Sequence, residues 1–272
     1  MHGEQKELSY NIGMQPTRED LIEMNLGIIG YGFVGNAHGD LLKGSYNIIV
    51  SDPPKDHHIG DRKLDAAIVC VSTPEAEDGR CNFSNVISAL RDLPNEIPVL
   101  IKSTISIEAW DLIQETFPEK RITFSPEYLR AETAAEDMKS AKVFHVGGAD
   151  PDFWWEIFQE VWPDAVCTIA SPKALILNKY SRNSFLALKV SFVNQLGELC
   201  KALGVSSDEV SSLFGSDPRI GTSHIEITER KGWGGYCFPK DTSAIVTTAE
   251  ENNVDFSLIK EARRYNNSIR KY

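Results

Sequence analysis

The sequence predicts an α/β fold: a Rossmann-type, mostly parallel sheet at the N-terminal end, followed by an all-helical part built on one long central helix. Three observations carry this. Continuous apolar runs ("NLGIIG", "NIIV", "AAIVCV", "VLI") alternate with amphipathic segments, the pattern of strands covered on both faces. A glycine-rich break directly follows the first of them. From Pro172 onward the strand pattern stops, and about thirty residues run on with no internal breaker except Gly197.

The elements follow in order. "NLGIIGYGFVG" (25–35) reads as a strand breaking into glycines, with helix-compatible sequence after it, and "NIIVSD" as the next strand. "AAIVCVSTP", a helix around 85–93, "VLIKST", a helix around 107–116, "RITFSP", "VFHVGG" and "AVCTIA" continue the alternation. The segment from Pro172 has apolar residues in more than one stripe (Leu175, Phe185, Leu188, Phe192, Leu196, Leu199 among them), so it needs cover on two sides. That predicts a homodimer through this helix. Ser206 and Ser207 before Asp208 read as a helix cap, and two further helices close the chain. The expected division is an N-terminal extension 1–24, a nucleotide-binding part 25–170 and a helical part 171–272.

Composition narrows the partners. A net charge of −11 argues against general nucleic-acid binding, which needs basic surface. The apolar runs are far short of a membrane span, and the polar N-terminus does not read as a signal peptide, so a cytoplasmic address is expected. Five cysteines without CxxC spacing favour neither disulfides nor a zinc site, and no metal is expected. Cys70 and Cys200 read as packing residues. His145, His57 and His58 have no motif around them and read as structural or solvated.

"GYGFVG" places Gly30, Gly32 and Gly35 in the dinucleotide-binding spacing, around Phe33 and Val34. The first glycine makes the turn, the second admits a pyrophosphate, and the third lets strand and helix pack closely. Asp52 ends the next strand, 22 residues after Gly30, where a carboxylate accepts from a ribose diol and repels a 2′-phosphate. NAD is therefore expected rather than NADP. "GWGGYCFPKD" (232–241) holds Cys237 among glycines and aromatics; by itself it leaves nucleophile, metal ligand and packing residue open.

Taken in order, "GYGFVG", "VSTPEAEDG" (71–79), "IKST" (101–104), "SPEYLR" (125–130), "NKYSRNSFLALKVSFVNQ" (178–195), "DPRIG" (217–221) and "GWGGYCFPKD" resemble the UDP-glucose/GDP-mannose dehydrogenase family. The resemblance implies oxidation of a nucleotide-sugar C6 alcohol to the carboxylate in two NAD-dependent hydride transfers. It makes Cys237 the nucleophile that captures the aldehyde as a thiohemiacetal and then carries the acyl group as a thioester. Lys179 and Asn183 would stabilise charge on the substrate oxygen, and Asp241 would orient water or the lysine. Thr104 and Glu127 would hold a catalytic water. Thr73 and Lys240 would lie at the cofactor, and Tyr128, Leu129, Arg130 and Gly234 at the substrate. Arg219 would reach the substrate of an adjoining subunit. Two alternatives stand beside this reading: a two-electron dehydrogenase of a smaller sugar or hydroxy acid, and a non-catalytic NAD-binding relative.

The pattern departs from the family in three places. Ala131 stands where the family carries a second glutamate; Glu132 follows one residue later, a rotation of ~100° on a helix. Thirteen residues, two of them prolines, separate Asp52 from Ala66, too few for a helical crossover, so the sheet is expected to be one strand short on that side. The sequence stops at Tyr272, about where the family's third domain would begin, which predicts a weaker grip on the nucleotide half of the substrate.

Overall fold

Seven strands form one sheet in the computed structural model, which describes residues 24–76 and 80–271. The expected N-terminal extension, apart from Met24, lies outside the described residues, as do 77–79 of the "VSTPEAEDG" motif. β1 (Asn25–Ile29) pairs in parallel with β2 (Asn47–Ser51) and with β3 (Ala66–Val69), Gly27 lying opposite Ile49 and Ala67. β4 (Pro98–Ile101) and β5 (Arg121–Phe124) extend the parallel set. β6 (Val143–Gly148) turns back antiparallel to β5, touching it only through Thr123–Gly148 and Phe124–Gly147, and β7 (Val166–Ile169) runs parallel to β6. The order is β2-β1-β3-β4-β5-β6-β7.

Every residue of β3 and β4 is buried, which is why their sequences are unbroken apolar runs rather than alternating ones. One face of the sheet packs Val69, Ile101 and Phe124 against α2 (Ser84–Asp92), α3 (Ile107–Thr116) and the start of the long helix. The other packs Ile28, Ile68 and Leu100 against α1 (Phe33–Leu42), α4 (Ala134–Lys139) and α5 (Pro151–Val161), with Trp154 and Phe158 fully buried. Cys70 is in this second core, as its apolar neighbours predict.

Between β2 and β3 the chain makes one 3-10 turn, Pro53–Lys55, and folds back on itself through an Asp52–His57 bridge. β2 is accordingly the edge of the sheet among the described residues, and no further strand lies between it and β3 in the chain.

The long helix α6 (Pro172–Leu203) begins with Pro172 after Ser171, whose hydroxyl accepts from Ala174 N–H, and ends at left-handed Gly204. Gly197 does not interrupt it. One face, including Leu175, Ile176, Tyr180, Ala187 and Val193, is buried; Phe185, Phe192, Leu199 and Leu203 are exposed. α7 (Ser207–Gly215) is capped by Ser206, and α8 (Cys237–Glu251) and α9 (Ser257–Ile269) pack back on α6. No helix among the described residues is long and apolar enough to cross a membrane.

Candidate active site

The glycine turn has the geometry of a phosphate cradle. Gly30 has φ +89°, and a Cβ on Gly35 would lie 2.0 Å from the Gly30 carbonyl oxygen, so both positions demand glycine. Gly32 is the N-cap of α1 and has no side-chain cap; a Cβ there would meet nothing within 4 Å. Open space in front of uncapped helical N–H groups, flanked by Phe33 and Val34, fits the pyrophosphate of a dinucleotide. Asp52 reaches the same turn, its Oδ2 accepting from Tyr31 N–H at 3.2 Å and pairing with Lys55 Nζ at 3.2 Å. A carboxylate held there suits a ribose diol. Thr73 lies buried beyond the end of β3.

Cys237 is the first residue of α8. Its place in the first turn puts it beside helical N–H groups that lack internal partners. The glycine-rich loop before it is fastened at several points. Trp233 N–H donates to Asn266 Oδ1 at 2.7 Å, and Asn266 Nδ2 returns a bond to Trp233 O at 3.0 Å. The Trp233 indole donates to Ser191 Oγ at 2.9 Å, and Gly232 N–H to Asn194 Oδ1 at 3.3 Å. Arg270 Nη1 holds Lys231 O at 2.8 Å. Thus α6 and α9 together fix where the thiol sits.

Around it the motif residues converge. Asp241, fully buried, accepts from Asn183 Nδ2 at 2.5 Å and from Lys240 Nζ at 2.8 Å. Lys179 lies one turn before Asn183 on the same face of α6, and its ammonium donates to the Glu127 carbonyl oxygen. Lys179 is buried rather than solvated. Burial lowers its pKa, opposed by the negative charge of Asp241, Cys237 and Glu127. Lys240, expected at the cofactor, spends its charge on Asp241; that charge and those of Cys81 and Cys237 overcome burial and raise its pKa.

Glu127 sits in a buried charge cluster of which only Glu127 itself was legible in the sequence. Its Oε1 accepts from Tyr128 N–H at 2.7 Å and Leu129 N–H at 3.2 Å. Lys102 Nζ lies 3.0 Å from Oε2 as an ion pair, though that oxygen receives no well-aligned hydrogen bond. His38 Nε2 is 3.6 Å from the same oxygen. Burial raises the Glu127 pKa, but Lys102 and His38 overcome it and bring the value down to about 2. His38 is held down to about 4, first by burial and then by Lys102. Its Nδ1 bonds Val34 O at 3.0 Å; a carbonyl can only accept, so Nδ1 carries the proton and Nε2 presents its lone pair to Glu127.

The remaining candidates are more dispersed. Thr104 is joined to the Thr73 loop by Cys81, whose Sγ approaches Thr104 O at 3.1 Å and Thr73 O at 3.6 Å. Tyr128 OH accepts from Asn178 Nδ2 at 2.8 Å, and Leu129 is buried. Arg130 is tied to Asp137 by Nε at 3.0 Å and Nη2 at 2.5 Å. Arg219 is tied in the same way to Asp217 on an exposed turn, so within one chain the structure does not bring it to Cys237. Gly234 faces the Arg270 guanidinium. Ala131 lies in an exposed 3-10 turn, and Glu132 beside it is exposed too. His145 packs edge-on to Tyr128, while His57 and His58 are exposed. Among the described residues no three His, Cys, Asp or Glu side chains group in a way that could hold a metal.

Residues 54–165 match the sequence profile of the UDP-glucose/GDP-mannose dehydrogenase family, NAD binding domain, and 176–268 that of its central domain. The chain belongs to this family. The first match agrees with the NAD expected from the glycine turn and Asp52. The chain is 31% identical over 213 residues to a UDP-glucose 6-dehydrogenase of Rhizobium meliloti, covering 72% of this chain and 48% of that protein. With a UDP-glucose 6-dehydrogenase of Bacillus subtilis it is 30% identical over 223 residues, covering 77% and 50%. The chain thus spans about half the length of these relatives. Among solved structures it resembles a UDP-glucose dehydrogenase from Pyrobaculum islandicum, with TM-score 0.80, 26% identity, and coverage of 94% of this chain and 70% of that one.

Proposed function

We propose that the protein is an NAD-dependent nucleotide-sugar dehydrogenase that oxidises a C6 alcohol to the carboxylate, as a UDP-glucose 6-dehydrogenase does, with Cys237 as covalent nucleophile. The observation that carries this is the convergence of Lys179, Asn183, Asp241 and Lys240 on the thiol at the start of α8.

Bound at Gly30, Gly32, Gly35 and Asp52, NAD supplies the hydride acceptor. Lys179, its proton affinity lowered by burial, is suited to take the hydroxyl proton as the alcohol becomes an aldehyde. Cys237 sulfur then adds to the aldehyde carbon, and the carbonyl oxygen takes up the electron pair as an oxyanion. Lys179 and Asn183 are placed to stabilise that charge, Asn183 being steadied by Asp241. After the second oxidation the acyl group is a thioester on Cys237. Water attacks it, the thiolate leaves, and the carboxylate is released. Thr104, Glu127 and Asp241 are the groups available to hold that water. The exposed row Phe185, Phe192, Leu199 and Leu203 on α6 supports a homodimer through this helix, which sedimentation at micromolar concentration tests.

A second reading has its own support. With Ala131 and Glu132 both exposed, no second carboxylate among the described residues joins Glu127, which favours an enzyme that stops after one hydride transfer. A panel of UDP- and GDP-sugars with NAD, following NADH and sugar product together, tests the assignment. Turnover to a uronate supports it; one NADH per aldehyde or ketone, undiminished in Cys237→Ser, overturns the covalent route.

A further inference from the structure

We propose that Arg182, stacked on Tyr128, is the site that seats the diphosphate of the substrate. This inference rests on the nucleotide-sugar reading above and names a residue that neither the motifs nor the family profile assigns.

Arg182 lies on α6 between Lys179 and Asn183, and residues three apart on a helix are neighbours on its surface. Its guanidinium carbon is 3.8 Å from the centroid of the Tyr128 ring. Tyr128 is itself fixed, its hydroxyl accepting from Asn178 and its ring set edge-on to His145. The arginine therefore rests on a prepared platform, which lowers the entropy cost of ordering it on a ligand.

Its charge has no carboxylate partner among the described residues. The other arginines expected near substrate differ in this respect: Arg130 is held by Asp137 and Arg219 by Asp217, each through two nitrogens. The acids nearby are also committed, Glu127 to Lys102 and Asp241 to Lys240. The surroundings are basic in a chain of net charge −11. Lys189 lies two helical turns beyond Arg182. Arg182 and Lys102 add to burial in disfavouring a proton on His145, and Lys189 with Arg130 does the same to His224. A local positive field and an uncompensated planar guanidinium, on the helix that also carries Lys179 and Asn183, fit a diphosphate. In a hexose nucleotide that group sits on C1, while the C6 that the thiol must reach hangs from C5, on the other side of the ring oxygen.

The test is calorimetric titration of the wild type, Arg182→Gln, Arg182→Lys and, as a surface-charge control on α6, Lys201→Gln. The ligands are UDP-glucose, UDP, inorganic pyrophosphate and glucose. Arg182→Gln should weaken UDP-glucose and UDP by about 10- to 100-fold, the size of one lost charge-assisted contact. Arg182→Lys should recover part of this, with NAD affinity and the Lys201→Gln variant unchanged. Pyrophosphate should compete with UDP and glucose should not. UDP bound equally tightly by Arg182→Gln, or no binding of UDP or pyrophosphate by the wild type, overturns the proposal. If Arg182-dependent UDP binding is present without turnover of any nucleotide sugar, the catalytic reading fails and this one stands. If turnover is present and Arg182→Gln leaves the sugar-nucleotide KM unchanged, the reverse holds.

Discussion

The buried pair His38 and Glu127 makes the stability of the protein depend on pH in a calculable way. The groups facing His38 are Lys102 and Glu127, with Cys70 in the same core, and its Nδ1 proton is committed to Val34 O. The folded protein keeps His38 neutral down to about pH 4, whereas in the unfolded chain it takes up a proton near 6.5. Between those values the unfolded state binds more protons, so folding weakens as pH falls from 6.5 to 4; above 6.5 His38 adds no pH dependence. A shift of this size corresponds to about 3 kcal/mol, a large part of a typical domain's stability. His38→Asn keeps a donor where Nδ1 stands but cannot titrate. Urea unfolding should therefore give a wild-type curve that falls more steeply than the variant's from pH 6.5 to 4. The difference should approach about 3 kcal/mol, on top of a pH-independent offset from the smaller side chain. Parallel curves across that range would refute the reasoning.

Lys102→Met leaves Glu127 buried without its cation and should cost about 3–5 kcal/mol at neutral pH, read by urea unfolding; Lys102→Met with Glu127→Gln should recover much of it. Gly35→Ala drives a methyl into the Gly30 carbonyl, so the NAD dissociation constant should rise at least about tenfold, with a stability loss of about 1–3 kcal/mol. Asn266→Ala removes both bonds to Trp233 and should cost about 1–3 kcal/mol while slowing iodoacetamide labelling of Cys237 relative to Cys167; unchanged labelling would show that the clamp does not set the thiol.

Much of the architecture could be read from the chain because it rests on local pattern. β3 and β4 are unbroken apolar runs since both faces are covered, and α6 carries its own cap, first-turn proline and closing glycine. The short stretch after Asp52 showed by length alone that no helical crossover could fit there, and a 3-10 turn occupies it. The charge cluster was not legible in the same way. Nothing local links His38, in "NAHGD", or Lys102, in "IKST", to their shared partner Glu127, which lies 89 and 25 residues away in sequence. Asn266 is 33 residues from Trp233, in a helix whose pattern reports only its apolar face. Lys179 could pass for a solvated charge until β5 brought the Glu127 carbonyl to it. Arg130 is the opposite case: its motif points to substrate, while its guanidinium is occupied by Asp137.

The central claim is that one site carries out two oxidations through a sulfur-bound acyl group. Counting NADH formed per uronate released, in wild type and Cys237→Ala, tests it most directly. The account predicts two NADH per uronate in the wild type and a loss of uronate of about 10³-fold or more in the variant. One NADH per product in the wild type, or uronate formed at a wild-type rate by Cys237→Ala, would contradict it.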